Sequence, residues 1–432
     1  MHPVTPRAGD LAAWLRHIEQ LHPKTMELGL ERVAKVNREL AVGLDCPVIT
    51  VGGTNGKGST CAMLEAILLA AGYRTGLYTS PHLLHYNERV RINGCSVEDD
   101  ALAGAFAKVE KARGGVALTY FEFGTLAAWE LFCRSKLDVV ILEVGLGGRL
   151  DAVNLFDPDC AILTSVDLDH TEWLGETREK IGWEKAHIFR SGRPAICADP
   201  VPPQSVLTHA AAVGANLQLI GRDFGYQGDR QQWGYWGRGG KRAGLAYPAL
   251  RGANQLLNAS AALCALDALR ERIPVGMHDV RKGLSLVELP GRFQVMPGRP
   301  VVVLDVAHNP HAAAVLAENI SNMGFAPITI AVFGMLRDKD IAGVVARLAG
   351  RIDRWHLATL NHPRGASAAD LAHALVLAGV KVPAIEFESA QSAYASAVVE
   401  AGENDRIVVF GSFITVSDVI AARANQPTPT HA

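Results

Sequence analysis

The sequence predicts an α/β protein of two units, each a mostly parallel sheet flanked by helices, and three observations carry that prediction. A strand, a glycine-rich turn and a helix follow one another from Pro47 to Ala71. Apolar runs such as Leu137–Val144 and Cys160–Thr164 end in polar residues, and runs apolar on both faces suit strands buried within a parallel sheet. Strand–helix alternation then restarts after a proline- and glycine-rich stretch at Leu289–Phe293 and Met296–Pro300, which marks a domain boundary and divides the chain into 1–290 and 291–432.

The bulk properties narrow the function. A length of 432 residues exceeds what one hydrophobic core usually serves, so more than one domain is expected. Net charge of −2 without a Lys/Arg cluster argues against a nucleic-acid binder and leaves small molecules as partners. Seven scattered cysteines with no Cys-x-x-Cys disfavour a disulfide framework and a thiolate metal site. No window approaches 18 uninterrupted apolar residues and the N-terminus has no apolar leader, so a cytoplasmic protein that does not enter membranes is expected, working as a monomer.

Taken in order, residues 8–41 read as two short amphipathic helices broken at Leu21–Thr25, with Leu11, Leu15 and Ile18 facing inward. The strand Val48–Val51 then enters the turn Gly52-Gly53-Thr54-Asn55-Gly56-Lys57-Gly58-Ser59-Thr60, and Met63, Leu64, Ile67 and Leu68 give the following helix its apolar repeat. Such a turn suits a phosphate. Glycine lets the backbone approach an anion, the N–H groups at the helix start point at it, Lys57 adds charge, and Ser59 or Thr60 offers a hydroxyl to Mg²⁺. A nucleoside triphosphate is the expected ligand, although the spacing is unusual: Val51 stands where the common loop has its first glycine, and Gly58 intervenes between Lys57 and Ser59.

A strand at 74–78 leads to Thr79-Ser80-Pro81-His82, and helices at about 97–113 and 121–135 precede the strand ending at Glu143. Parallel strands bind ligands at their carboxyl ends, so Glu143 is placed to ligate Mg²⁺. The next strand, 160–164, runs on to Asp167, Asp169 and His170 at the same edge. Lys185, in a helix predicted over 177–189, reads by itself as a solvated lysine. Strands follow at 194–197 and 217–220, then a β-hairpin within 225–240 and an Ala-rich helix after Arg251. The second unit alternates strands at 301–306, 328–333, 354–358, 383–387 and 406–411 with helices at 311–322, 340–349, 367–379 and 390–401. Gln426–Thr430 reads as a frayed end.

The blocks Gly53–Ser59, Thr79–Leu83, Glu88–Arg91, Thr119–Glu122, Leu142–Ala152, Leu168–Thr171, Glu184–Ala186, Leu289–Phe293, Asp305–Pro310 and Gly411–Phe413, in this order, resemble the bacterial bifunctional dihydrofolate synthase/folylpolyglutamate synthases of the Mur ligase superfamily. The resemblance implies a P-loop ATPase-type first domain that also holds a pterin site, and a smaller Rossmann-like C-terminal glutamate-ligase domain. It implies that ATP is held by Thr54, Asn55, Gly56, Lys57, Gly58 and Ser59, with Asn254, Arg292 and Asp305. Ser80, Glu143 and His170 would ligate Mg²⁺, joined by Lys185 if that lysine is carbamylated; Lys57, Lys185, Glu143 and His170 form the implied catalytic set. The pterin substrate would lie against Lys24, Thr25, Met26 and Glu27, against Thr119, Tyr120, Phe121 and Glu122, and against Leu150, Asp151 and Ala152. Trp183 and His187 depart from the family pattern around Lys185.

The implied chemistry is sound in physical terms. A carboxylate is a poor acyl donor, so joining it to the amine of glutamate needs activation, and transfer of the γ-phosphoryl group of ATP makes an acyl phosphate. Cations at the transferring group are what such a step requires. The alternatives are a monofunctional folylpolyglutamate synthase, another amino-acid ligase of the superfamily, and a nucleotide-dependent switch. About 47 residues before the phosphate-binding strand are too few for the extra domain of a cell-wall ligase.

Overall fold

The computed structural model describes residues 6, 9–24, 26–229, 231–252 and 254–424. Thr25 and the end at Gln426–Thr430 lie outside these. Two compact units are present, one comprising the described residues up to Ala249 together with Leu256–Val287, the other comprising Leu250–Gln255 and the described residues from Glu288 onward.

The first unit is built on an eight-stranded sheet of β1 (Val48–Gly52), β2 (Thr75–Tyr78), β3 (Val90–Ile92), β4 (Cys95–Ser96), β5 (Val139–Glu143), β6 (Cys160–Leu163), β7 (Pro194–Cys197) and β8 (Asn216–Leu219), in the order β4-β3-β2-β5-β1-β6-β7-β8. The six strands from β2 to β8 in that order run parallel, while β3 and β4 add an antiparallel edge. Every residue of β1 and β5 is buried, as expected of strands covered on both faces. One covering element is the helix Lys57–Ala70, with Met63, Leu64, Ile67 and Leu68 wholly inaccessible. It packs backbone to backbone against the helix Met277–Leu286, where a Cβ on Gly283 would come within 2.5 Å of the Ile67 Cα. The N-terminal helices Leu11–Glu19 and Glu31–Leu40 pack against the helices Asp99–Arg113 and Tyr120–Arg134, with Leu11 and Ile18 buried beside Trp14 and Leu15 partly covered.

Several elements differ from the sequence reading. The hairpin expected within 225–240 is a three-stranded antiparallel sheet, β9 (Gly225–Gly228), β10 (Trp233–Gly237) and β11 (Gly240–Leu245), because Arg238-Gly239 makes a two-residue turn that returns the chain once more. Strands β3 and β4 and the helix Met277–Leu286 are additions. So is the helix Phe413–Ala424 beyond the last expected strand.

The second unit has a six-stranded sheet of β12 (Gln294–Met296), β13 (Val301–Leu304), β14 (Thr329–Phe333), β15 (Arg354–Ala358), β16 (Ala384–Phe387) and β17 (Arg406–Phe410), ordered β12-β13-β17-β14-β15-β16. All pairs are parallel except β12 with β13. Phe333, Trp355 and Phe410 form the aromatic centre of its core. Among the described residues, no helix is long and apolar enough to cross a membrane.

Candidate active site

The centre of the first sheet sets the site. β1 lies between β5 and β6, paired Val51 with Glu143 and Gly52 with Leu163, so three chain segments leave the same carboxyl edge side by side. From β1 the chain enters the glycine-rich turn, and the helix begins at Lys57, four residues earlier than its apolar repeat suggests. Gly56 is its N-cap at φ 89°, with no side-chain cap, and its first turn carries no acidic residue. The start of this 14-residue helix thus adds no negative charge of its own to its first N–H groups, which fits an anionic ligand.

The turn is held from β6. Thr54 donates its N–H to the Ser165 carbonyl at 2.7 Å, and its hydroxyl accepts the Asp167 N–H at 3.0 Å. Thr164 Oγ1 donates to the Asn55 carbonyl at 2.7 Å, while Ser165 Oγ accepts the Asn55 N–H at 3.1 Å. Two glycines are required here: a Cβ on Gly53 (φ 143°) would fall 1.9 Å from Thr164 Oγ1, and one on Gly56 2.4 Å from Asn258 Oδ1. Thr164, Ser165 and Asn258 shape the turn without belonging to the motif; the polar strand end after Leu163 is the sequence signal for the first two, and Asn258 sits on the helix Gln255–Ala268.

Two ammonium groups converge on one backbone oxygen. Lys57 Nζ and Lys185 Nζ both donate to the Gly53 carbonyl, at 3.1 and 3.0 Å. Lys185 is 5 % exposed, not the solvated lysine its helix suggested. Its helix is closely packed here: Gly148 sits so tightly over the Glu184 and Lys185 carbonyls that a Cβ would come within 2.9 Å of both. Burial, with the charge of Lys57 beside it, pulls the Lys185 amine down to about 7 against the opposing pull of Asp169 and Asp151. With its pKa near 7, the amine is about half neutral at pH 7, far more than an exposed lysine.

Glu143 ends β5 with 3 % exposure, and its Oε2 accepts the Ser80 N–H at 3.1 Å, which places Ser80 beside the carboxylate. His170 adopts a left-handed backbone (φ 50°) at the start of the short helix Thr171–Leu174, and its N–H donates to Asp169 Oδ1 at 2.9 Å. Ser80, Glu143 and His170, the residues expected to hold Mg²⁺, lie at or beyond the ends of three parallel strands, β2, β5 and β6. Among the described residues no three His, Cys, Asp or Glu side chains cluster around a metal position. The expected set contains only two such residues, with Ser80 and Lys185 completing it.

The three expected pterin segments are joined to one another. Gly29 donates its N–H to the Leu150 carbonyl at 3.4 Å, linking the loop that holds Lys24, Met26 and Glu27 to the loop of Leu150, Asp151 and Ala152. Thr119 caps the helix Tyr120–Arg134 in a reciprocal box with Glu122. Phe121 approaches the other loop so closely that a Cβ on Gly145 would meet its ring at 2.6 Å and Asp151 Oδ2 at 3.2 Å. Asp151 accepts N–H bonds from Leu146 and Val153 at 2.8 and 3.0 Å, yet burial still pushes its carboxyl up to about 6. Tyr120 packs edge-on to Tyr86 beneath the Arg89 guanidinium. Lys24 pairs with Glu27 at 3.0 Å. Trp183, which departs from the family pattern, stacks against Arg149, whose guanidinium also pairs with Glu184 at 3.0 Å.

In the second unit, Asp305 accepts the Phe293 and Ala307 N–H groups at 2.8 and 2.7 Å, and burial raises its pKa against the pull of Arg292. Arg292 lies over the Phe413 ring. His308 Nδ1 bonds the Val306 carbonyl at 2.8 Å, an orienting contact. Asn254 occupies the turn before the helix Gln255–Ala268.

A strand entering a glycine-rich turn and helix, flanked by an acid-bearing strand and a histidine-bearing segment, with a Rossmann-like second unit, is the plan of a Mur-type ligase. Residues 51–198 match the Mur ligase middle domain, and residues 291–413 match the Mur ligase glutamate ligase domain. The Escherichia coli dihydrofolate synthase/folylpolyglutamate synthase is 46% identical over 418 residues, covering 96% of each chain. An E. coli structure in complex with DHPP and ADP aligns over 98% of this chain and 100% of its own, with a TM-score of 0.92 and 46% identity. A bifunctional folylpolyglutamate synthase/dihydrofolate synthase with Mn, AMPPNP and L-glutamate bound aligns over 98% and 100%, with a TM-score of 0.90 and 46% identity. The chain belongs to the bifunctional dihydrofolate synthase/folylpolyglutamate synthase family, whose members are ATP-dependent ligases.

Proposed function

We propose that this chain joins L-glutamate to dihydropteroate, forming dihydrofolate, and to the γ-carboxylate of folates, consuming ATP with Mg²⁺. The observation that carries this reading is the convergence of Lys57 and Lys185 on the Gly53 carbonyl beside the Glu143–Ser80 pair, at the sheet edge that the pterin segments border.

In this reading the N–H groups from Gly56 to Ser59 and the Lys57 ammonium hold the triphosphate, in a turn shaped by Thr54 and Asn55. Ser80, Glu143 and His170 hold the metal, which when bound neutralises charge on the transferring phosphoryl group. Lys185, buried and with a substantial neutral fraction near pH 7, has the chemistry to take up carbon dioxide and become a carbamate, adding an anionic oxygen ligand. Lys24 to Glu27, Thr119 to Glu122 and Leu150 to Ala152 hold the pterin and present its carboxylate to the γ-phosphate. The glutamate amine then displaces phosphate from the acyl phosphate. Asn254, Arg292 and Asp305 supply nucleotide contacts, so residues 1–290 act as the ATP and pterin module and 291–432 as the glutamate-ligase module. The enzyme works as a cytoplasmic monomer on small molecules; its free cysteines, four of them buried, suit a reducing compartment.

The test is phosphate release by purified protein with Mg-ATP and L-glutamate, comparing dihydropteroate, tetrahydrofolate and no pterin, with products identified by mass. Glutamylated product from both pterins is expected. Product from tetrahydrofolate alone would reduce the enzyme to a folylpolyglutamate synthase, and phosphate without glutamylated product would refute the substrate assignment.

A further inference from the structure

We infer that Arg32 is a positioning residue for the pterin substrate, a latch that locks the loop carrying Glu27 onto the helix cap carrying Thr119–Glu122. This inference rests on the reading that those segments hold the pterin.

Arg32 lies in the first turn of the helix Glu31–Leu40. Its Nη1 donates to Glu27 Oε1 at 2.7 Å, and its Nη2 donates to the Glu27 carbonyl at 3.0 Å and to Glu122 Oε1 at 2.8 Å. Nε reaches Glu122 Oε2 at 3.5 Å. One rigid guanidinium thus engages both the side chain and the backbone of a loop with no regular structure, together with a carboxylate ninety positions away. Glu122 is 3 % exposed and its other oxygen is occupied by the Thr119 N–H at 2.7 Å, so Arg32 is the cation that neutralises a buried carboxylate at the helix cap. Gly29 carries the tie on to Leu150. All three pterin segments are therefore aligned through the stretch from Glu27 to Arg32. A lysine in place of Arg32 presents a point charge without the fork that spans both carboxylates.

The expected behaviour is a split between substrates. In Arg32→Ala, the KM for dihydropteroate and for tetrahydrofolate rises together by about tenfold or more, the loss typical of one charge-assisted hydrogen bond. The KM values for ATP and L-glutamate move less than about twofold on the same scale. Arg32→Lys falls between wild type and Arg32→Ala. Glu27→Gln, which removes one charge at a half-exposed position, shifts both pterin KM values the same way by a smaller factor. If Arg32→Ala fails to fold, Arg32→Lys and Glu27→Gln decide. Unchanged pterin KM in every folded variant overturns the latch, as does an equal rise in the ATP KM or a fall in kcat alone. Wild-type protein run alongside separates the two failures: if it glutamylates neither pterin, the functional reading fails; if it turns over normally and the variants match it, only the latch fails.

Discussion

Gly53→Ala is the sharpest perturbation the structure offers, since its effect can be worked from three distances. The new Cβ would sit 1.9 Å from Thr164 Oγ1 and 3.1 Å from the Ser165 nitrogen, at a φ of 143°. Thr164 is 4 % exposed and its hydroxyl bonds the Asn55 carbonyl at 2.7 Å and the Gly52 carbonyl at 3.2 Å, so it cannot swing aside without losing both. The one hydroxyl proton shared between these carbonyls contributes about 1 kcal/mol, and an alanine forced into that backbone region costs about 1–3 kcal/mol, together roughly 2–4 kcal/mol. At about 2–4 °C per kcal/mol that lowers the Tm of the first unit by roughly 10 °C. The same displacement moves the Gly53 carbonyl, so ATP affinity should fall by more than about tenfold. Thermal unfolding and titration calorimetry with ATP measure the two effects. Thr164→Ala removes the obstructing hydroxyl, so Gly53→Ala with Thr164→Ala should cost clearly less than the sum of the single changes. Full additivity, or a single Gly53→Ala variant with wild-type Tm and ATP affinity, would refute the close-packing argument.

Other outcomes follow from the same geometry. Glu143→Gln should lower kcat by at least about a hundredfold, the scale of losing a charge partner of the transferring phosphoryl group, with ATP binding largely retained; turnover at the wild-type rate would remove Glu143 from the metal set. Chelation with EDTA should abolish phosphate release and added Mg²⁺ restore it. Lys185→Arg should leave the protein folded but nearly inactive, and wild-type protein in ¹³C-bicarbonate should show a carbamate carbonyl resonance that the variant lacks; a resonance present in both would place the modification elsewhere. Asp151 has its carboxyl raised to about 6 from an ordinary 3.8. Its protonated form is therefore the one the fold favours, and the associated stability is fully present below pH 3.8 and lost as pH rises through about 6. That difference is roughly 3 kcal/mol, so urea unfolding between pH 4 and pH 7 should show a decline that Asp151→Asn flattens.

The parts of the fold legible in the sequence are those whose signal is local. Val48–Val51 and Val139–Glu143 are apolar on both faces, which only a covered sheet explains, and their polar ends mark the carboxyl edge of that sheet. Elements were missed where the signal was short or mixed. Val90–Ile92 and Cys95–Ser96 are too brief for a period, and Phe413–Ala424 begins immediately after a strand, where the glycine at 411 obscured the start. The site divides in the same way. Lys57 and Glu143 announce themselves by position in a motif or at a strand end, whereas Arg32 sits on an ordinary helix and meets Glu122 only after folding. Lys185 reads as solvated from its helix alone, and only the family resemblance draws it to the site, because the residues it meets, Gly53 and Gly148, are far away in sequence and close only in space.

Strand β1 pairs Val51 with Glu143 on one side and Gly52 with Leu163 on the other. Side chains on a strand alternate between faces, so a slip of one residue would turn Glu143 away from its present neighbours and, in the same step, carry Val140 and Leu142 out of their packing. Misassembly of the reaction centre and loss of the hydrophobic interior are then a single event. Chains that satisfy the core have already aligned the acid, the turn and the histidine segment, so proofreading of catalytic geometry is delegated to folding itself.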